Sequence, residues 1–343
     1  MEEFRELVKK IGSGPHTGKS LSRSEAALAM KKMLLAEATP AQIGAFLIAH
    51  RIRRPTGTEM AGMLDSWAEF GPSLQPVGDV APRVFGIPYD GRSRTAPLGL
   101  ITGLMLAAMH VPVIFHGGDR MPTKYGLPLV DFWLHWGVNW GGLNLDKVQQ
   151  VFATTNLAFI YTPRHFPLAQ GLVQYRAEIG KRPPIATLEL LWTPYAGASH
   201  LIFGYVHPPT EKTALAALEM RGTVLATTTV KGLEGSCDLP HDRTVIIGTG
   251  SESNLERILL HHQDYGVSNI NPPLKDNIFA AVDELLQGKT NELLESAVWN
   301  GGFYLWHCGV ASDLKTGMAQ AKELLISGRV LQQLELIIVK ILG

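Results

Sequence analysis

Charged and apolar positions recur with a helical period at the start of the chain. EEFRELVKK, residues 2–10, predicts an amphipathic helix. Ser22-Arg23-Ser24-Glu25 reads as a capping box opening a second helix over Ser24–Ala36, which is rich in Ala, Leu, Met and Lys. After Thr39-Pro40 a third is predicted over Ala41–Arg51, with proline in its first-turn region. Thr58–Phe70 predicts a fourth, ended by Gly71-Pro72. The proline-bearing stretch 72–82 reads as a linker. Short β-rich runs then appear: Arg83–Ile87, Val111–Phe115, Leu157–Tyr161, Leu201–Tyr205, Thr223–Val230 and Thr244–Ile247. Helical segments lie between most of them, and Leu314–Ser327 and Val330–Leu342 close the chain as helices. Alternating strands and helices imply an α/β fold. A small N-terminal all-helical domain would pack on a larger domain with a mostly parallel sheet flanked by helices. The expected boundaries are 1–72 for the helical domain, completed by helices within about 141–182, with 73–140 and 183–343 forming the α/β ligand-binding domain.

Two stretches invite a different interpretation. GSGPHTGKS, residues 12–20, looks like a P-loop, but the first glycine of G-x-x-x-x-G-K-[ST] falls on Ser13 and a helix precedes it where a strand is required. A helix end and a turn, with Gly12 and Gly14 as caps and Pro15 stopping the helix, accounts for the same residues. Ala96–Phe115 is long enough to span a membrane. His110 and Pro112 interrupt it, and Arg92 and Arg94 precede it, so it reads as a buried helix from about Leu98 to Met109 followed by a strand. No membrane association is expected.

The 343 residues carry 31 basic and 31 acidic side chains, a net charge of zero that gives generic nucleic-acid binding no support and leaves only a local basic patch. Cys237 and Cys308, the only cysteines, build no disulfide framework and no metal site. With a charged N-terminus lacking a signal-peptide apolar core, the expected compartment is the cytoplasm. Gly248-Thr249-Gly250-Ser251 reads as a tight turn between a strand and a helix. His261-His262 reads as a surface pair in a helical stretch, and Trp133, Trp136 and Trp140 as core or interface.

In an open parallel sheet, ligands bind beyond the carboxyl ends of strands. The first such loop, Gly86-Ile87-Pro88-Tyr89-Asp90-Gly91-Arg92-Ser93-Arg94-Thr95, combines glycines, hydroxyls and two arginines ahead of a helix. That chemistry can hold an anion through backbone N–H groups and guanidinium forks. The second, His116-Gly117-Gly118-Asp119-Arg120-Met121-Pro122-Thr123-Lys124, offers His, Arg and Lys beside glycines.

These loops, in this order, resemble the anthranilate phosphoribosyltransferase family, which belongs with the class II nucleoside phosphorylases. The likeness runs nearly the whole length. LLAEATPAQIGAFLIAHRIRRPTGTEMAGM is similar to the family's helical domain, and VIFHGGDR followed by LVDFWLHWGV to its K-H-G-N-R segment and the helix beyond. RAEIGKRPPIATLELLWTP has the family's spacing, and VWNGGFYLWHCGVASDLKTGMAQAKELLISG is similar to its C-terminal helices. The resemblance implies a helical domain on an α/β domain, a homodimer through the helical part, and transfer of ribose phosphate from phosphoribosyl pyrophosphate with Mg²⁺ onto an aromatic amine.

Residue by residue, the resemblance is uneven. The family's G-T-G-G-D-G loop is Gly86-Ile87-Pro88-Tyr89-Asp90-Gly91, which loses the inner glycines. The Lys and Asn of K-H-G-N-R are Phe115 and Gly118, while His116 and Gly117 remain. The arginine that contacts anthranilate matches Arg176. The metal segment H-G-x-D-G-L-D-E falls on Lys231–Asp238, with its acidic pair now Cys237-Asp238. A thiol is a poor Mg²⁺ ligand, which leaves Glu234 and Asp238 as a weak metal pair. IPYDGRSR, FHGG and KGLEG are similar to a divergent branch of the family that the resemblance associates with nucleic-acid binding. The expected contacts to a phosphate-bearing ligand, either nucleic acid or ribose phosphate, are Gly86, Asp90, Gly91, Arg92, Ser93, Arg94, Thr95, His116, Gly117, Arg120, Lys124, Arg176 and Lys231. Arg51, Arg53, Arg54 and Arg164 either join them along one groove or are scattered solvated charges. The alternative is an active pentosyl transferase with an altered donor geometry.

Overall fold

The computed structural model describes residues 2–14 and 16–343. Helix α1 (Glu2–Gly12) buries Phe4, Leu7 and Ile11 along one stripe, with acids in its first turn and lysines in its last, matching the helix dipole. Helices α2 (Arg23–Leu34), α3 (Pro40–Arg53) and α4 (Gly57–Phe70) each start on a complete capping box: Ser22 with Glu25, Thr39 with Gln42, and Thr56 with Glu59. Glu59 has a second role. Fully buried, its carboxylate accepts the amides of Thr56 at 2.8 Å and Leu21 at 2.9 Å, tying α4 to the start of α2. Burial pushes its pKa up, but the nearby His50 and those amides outweigh it and hold it at about 2. Gly12 ends α1, so a helix and not a strand precedes the glycine-rich stretch, and Gly14 takes φ +114°, as a turn requires. Pro15 lies outside the described residues.

Beyond the linker, strands β1 (Arg83–Gly86), β2 (Val113–Gly117), β3 (Leu157–Tyr161), β4 (His200–Gly204), β5 (Ala226–Val230), β6 (Val245–Gly250) and β7 (Leu255–Leu260) form one sheet in the order β3-β2-β1-β4-β5-β6-β7. The first five are parallel, and β6 and β7 run antiparallel at one edge. Helix 99–108, whose eight residues from Leu100 to Ala107 are all buried, and helix 294–307 pack against the sheet. Short helices at 162–165, 167–170 and 173–179 follow β3 and meet the helical part, with Phe166 edge-on to Trp67 at 5.2 Å between ring centres. Trp133 and Trp140 are fully buried and pack edge to face, 5.4 Å apart. No described helix is long and apolar enough to cross a membrane.

The antiparallel edge departs from the sequence reading. Residues 248–250 are the end of β6, and the next element is β7 rather than a helix. His262 is not a surface residue: it is buried in a short turn after β7, its Nδ1 2.7 Å from the Val267 carbonyl oxygen.

Candidate functional site

The chain leaves β1 toward β2 and β3 on one side of the sheet, whereas β4 and β5 build the other. The β1/β4 boundary is therefore the topological switch point, where open α/β sheets leave a crevice at the strands' carboxyl ends. Three loops meet there. The loop after β1 is zipped to the loop after β2: the amide of Arg92 donates to Leu127 at 3.1 Å, that of Leu127 back to Arg92 at 2.6 Å, and that of Gly126 to Asp90 at 2.9 Å. Gly91 makes this pairing possible. It takes φ +73°, and a Cβ there would lie 2.6 Å from the Gly126 backbone. Gly86 is similarly constrained, since a Cβ would sit 1.8 Å from the Leu190 carbonyl oxygen. The loop after β5, residues 231–238, folds over the other two.

The acids of that third loop close on the cations of the first. Arg92, although charged, is only 3% exposed. Its guanidinium donates to Asp238 at 2.7 Å and Ser236 at 2.8 Å, lies 3.3 Å from Glu234 and reaches the Thr95 hydroxyl. Asp238 also accepts the Leu98 amide, at 3.1 Å, at the start of helix 99–108. Glu234 accepts the amides of Ser93 (3.2 Å), Arg94 (3.1 Å) and Thr95 (3.0 Å), and the hydroxyls of Ser93 (3.3 Å) and Thr95 (2.8 Å). The Lys124 ammonium lies 2.5 Å from the same carboxylate and donates to the Gly91 carbonyl at 2.8 Å. Burial alone would raise the Glu234 pKa; Lys124, Thr95 and the amides hold it far below the usual carboxylate range. The Glu234 backbone is itself unusual, with φ 54° and ψ 22°, a left-handed conformation that costs a non-glycine residue on the order of 1–3 kcal/mol.

The fold thus gathers Gly91, Arg92, Ser93, Arg94, Thr95, Lys124, Glu234 and Asp238, and directs the side chains of His116, Arg120 and Arg176 to other partners. The sequence places Arg92 among the contacts to ligand phosphate; its guanidinium instead closes on the protein's own acids, because Asp238 and Glu234 arrive from the β5 loop. His116 is fully buried, its Nδ1 2.5 Å from the Tyr89 hydroxyl and its ring edge-on to Trp192. Burial pushes its pKa down to about 3, so it is neutral at physiological pH. Gly117 ends β2 and accepts the Thr162 hydroxyl at 3.1 Å. Arg176 is buried against Glu189 and the Met121 sulfur rather than free in the cleft. Arg120 pairs with Asp131 at 2.9 Å on the surface. Lys231 is half-buried at the start of the β5 loop, its amide donating to Ile246 at 3.0 Å. Asp90 is buried with Oδ1 3.7 Å from Arg182.

Sequence reasoning missed Tyr89 as the partner of His116, Glu189 as the partner of Arg176, and Tyr125, 56% exposed beside Lys124. Only Tyr125 carried a local signal, an aromatic next to a lysine in a strand-end loop.

Glu234 and Asp238 do not fit a divalent cation. Arg92 lies against both and Lys124 against Glu234, so their charges are already matched by the protein's own cations. Magnesium wants open oxygens in octahedral array. Cys237 points into the sheet, its thiol near the carbonyl oxygens of Gly86 (3.6 Å) and Ile202 (3.5 Å), and burial pushes its pKa up. A small cavity beneath Arg92 is lined by Phe85, Pro88 and Tyr304 among others.

Residues 5–71 match the helical bundle domain of a glycosyl transferase family, and residues 91–331 match the family's α/β domain. Anthranilate phosphoribosyltransferase of Azorhizobium caulinodans is 27% identical over 338 residues, covering 96% of this chain and 94% of that protein. Its counterpart from a Chelativorans species is 29% identical over 351 residues, covering 98% and 97%. Among solved structures, anthranilate phosphoribosyltransferase from Thermus thermophilus superposes with a TM-score of 0.79 at 22% identity over 100% of both chains. The Saccharomyces cerevisiae enzyme in complex with PRPP and Mg gives 0.83 at 16% identity, covering 99% of this chain and 98% of that one. At these identities the structures carry the fold: a helical bundle on an α/β domain.

Proposed function

This chain belongs to the glycosyl transferase family whose domains match residues 5–71 and 91–331, and on that premise we propose that it is an anthranilate phosphoribosyltransferase-like protein that binds single-stranded nucleic acid in the cleft between its domains, without metal-dependent transfer. The observation that carries this reading is the position of Arg92 between Asp238 and Glu234. A guanidinium there occupies the charge of both acids on which a donor-bound metal would depend. Transfer of ribose phosphate develops negative charge on the departing pyrophosphate, and without a metal that charge has little to stabilise it.

The rim of the same cleft supports nucleic-acid binding. The Arg94 side chain is 78% exposed. Arg51, at the end of α3, reaches the Arg182 carbonyl at 2.5 Å, and Arg182 in turn lies 3.7 Å from Asp90 in the β1 loop. Arg51 and Arg182 thereby lie on the helical side of the cleft, with Arg182 facing the β1 loop. Tyr125, exposed beside Lys124, offers a ring on which a base can stack, and stacking with a basic track is the usual means of holding single strands. The protein acts as a homodimer through its helical part in this reading, with Ile52 on α3, 76% exposed, as an apolar contact.

Calorimetric titration with a short single-stranded oligonucleotide at two salt concentrations tests this. Binding should persist in EDTA, weaken steeply with salt and fall in Arg94→Ala. A second reading, a pentosyl transferase with altered donor geometry, draws on the convergence of three amides, two hydroxyls and Lys124 on a single anion. Titration with phosphoribosyl pyrophosphate and Mg²⁺ separates the two: binding of that donor, abolished by EDTA, favours the transferase.

A further inference from the structure

We infer that Glu234 sets the ligand specificity of this cleft by occupying, as an internal anion, the cradle that a terminal phosphate group would otherwise fill. The inference rests on the proposal that the cleft takes a phosphate-bearing ligand, and it identifies which kind of phosphate is refused. Three consecutive amides, those of Ser93, Arg94 and Thr95, point at one carboxylate together with two hydroxyls and an ammonium. Successive amides converging on one point form an anion nest. Nothing about this donor set is particular to a carboxylate; the three free oxygens of a phosphate monoester or of pyrophosphate could accept the same hydrogen bonds. Glu234 reaches the nest from a left-handed backbone conformation, and its side chain is 3% exposed there.

A small terminal phosphate entering the nest has to displace all of these contacts. It also has to leave a carboxylate unpaired beside a dianion. A phosphodiester backbone makes no such demand. It has only two free oxygens and runs along the rim, where Arg94 presents its guanidinium to solvent. Glu234 therefore discriminates between phosphate classes: diesters bind outside it, and terminal phosphates are shut out by it. Shortening or neutralising its side chain should admit pyrophosphate, ribose 5-phosphate and the 5′-phosphate end of an oligonucleotide.

The test is calorimetry in EDTA on the full chain, comparing wild type with Glu234→Ala and Glu234→Gln. The probes are pyrophosphate, ribose 5-phosphate, and one oligonucleotide with either a 5′-phosphate or a 5′-hydroxyl. Wild type should bind both oligonucleotides alike and pyrophosphate poorly. Glu234→Ala should gain about tenfold or more for pyrophosphate, the scale expected when charged hydrogen-bond donors become available to a ligand. A parallel gain for ribose 5-phosphate alone points to a sugar phosphate as the excluded ligand, and a new preference for the 5′-phosphorylated strand points to a strand end. If Glu234→Ala does not fold, Glu234→Gln, which keeps the shape and loses the charge, carries the same comparison with a smaller gain. A folded variant with no gain for any terminal phosphate overturns the inference, as does wild-type protein that already binds pyrophosphate as tightly as the variants. A gain for pyrophosphate with no oligonucleotide binding in any form leaves the role of Glu234 standing and removes the nucleic-acid reading. Oligonucleotide binding with no gain does the reverse.

Discussion

At the carboxyl end of the sheet, Arg92 is buried between Asp238 and Glu234. Toward the other end, the fully buried Thr228 hydroxyl lies 2.7 Å from His200 Nε2 and 2.8 Å from His307 Nε2. Both places put polar groups in the protein interior, and they differ in how charge is treated. Around Arg92 opposite charges arrive from a separate loop, and Glu234 is held well below the usual carboxylate range. Around Thr228 the hydroxyl's hydrogen-bond partners are imidazoles rather than carboxylates. Burial pushes His200 and His307 down to about 4, with Arg83 nearby acting in the same direction, and the rings stay neutral. The lesson is that burial removes a charge only where no counter-charge is supplied. The charged centre sits where the ligand is proposed to bind, and the neutral one sits away from it.

The largest effect should follow from breaking the charged centre. Arg92→Met leaves Asp238 buried without its cation and should cost about 3–5 kcal/mol, measured by urea unfolding at pH 7. Arg92→Met with Asp238→Asn should recover part of that loss. A cost for the single variant below about 1 kcal/mol would mean that the network contributes little, since exposed pairs have values of that order.

Next comes the neutral centre. Thr228→Val keeps the shape and removes the hydroxyl that both imidazoles share, with an expected loss of about 1–3 kcal/mol. The pH dependence separates the two centres further. A histidine whose folded pKa lies below its unfolded value, 6.5 here, contributes stability that is complete above that value and lost as pH falls toward 4. His116, held at about 3, adds a loss of the same sign that extends to lower pH. Glu234 behaves differently: its contribution is present above the ordinary carboxylate value of 4.5 and is lost only as pH falls below it. Unfolding series between pH 7 and 4.5 should therefore show a decline owed to the histidines. His307→Phe, stacked on Phe303 as the native ring is, should reduce that decline. An unchanged slope would contradict the assignment.

The smallest stability effect belongs to Arg94→Ala. An exposed arginine 3.8 Å from Glu234 should contribute no more than about 0.5 kcal/mol to folding, measured by the same unfolding. Its loss should still weaken oligonucleotide binding.

Much of the fold was legible in the sequence, and the reasons are local. The four N-terminal helices announce themselves through caps and period, and three of the caps are complete boxes in the structure. Five parallel strands and β6 follow the predicted order, with shifts at their ends. Val111–Phe115 becomes Val113–Gly117 because Val111 still bonds back to Leu106 in the turn after helix 99–108, and Pro112 has no amide to give a ladder. Strand β7, LERILL, escaped notice because it lies at the sheet edge with half of its residues exposed, so its polar positions resemble a loop. The candidate site was legible in membership and illegible in pairing. Arg92, Lys124, Glu234 and Asp238 were all named, but as separate contacts to a ligand or a metal. That they face one another depends on a register between loops some 140 residues apart, and no local pattern encodes it.

This cleft is proposed to hold a phosphate backbone without a metal. Titration of the wild-type protein with a single-stranded oligonucleotide in EDTA, at low and then at higher salt, tests it most directly. Binding without metal is expected, with an affinity that drops steeply as salt rises. Absence of oligonucleotide binding, together with phosphoribosyl pyrophosphate binding that requires Mg²⁺, would contradict it.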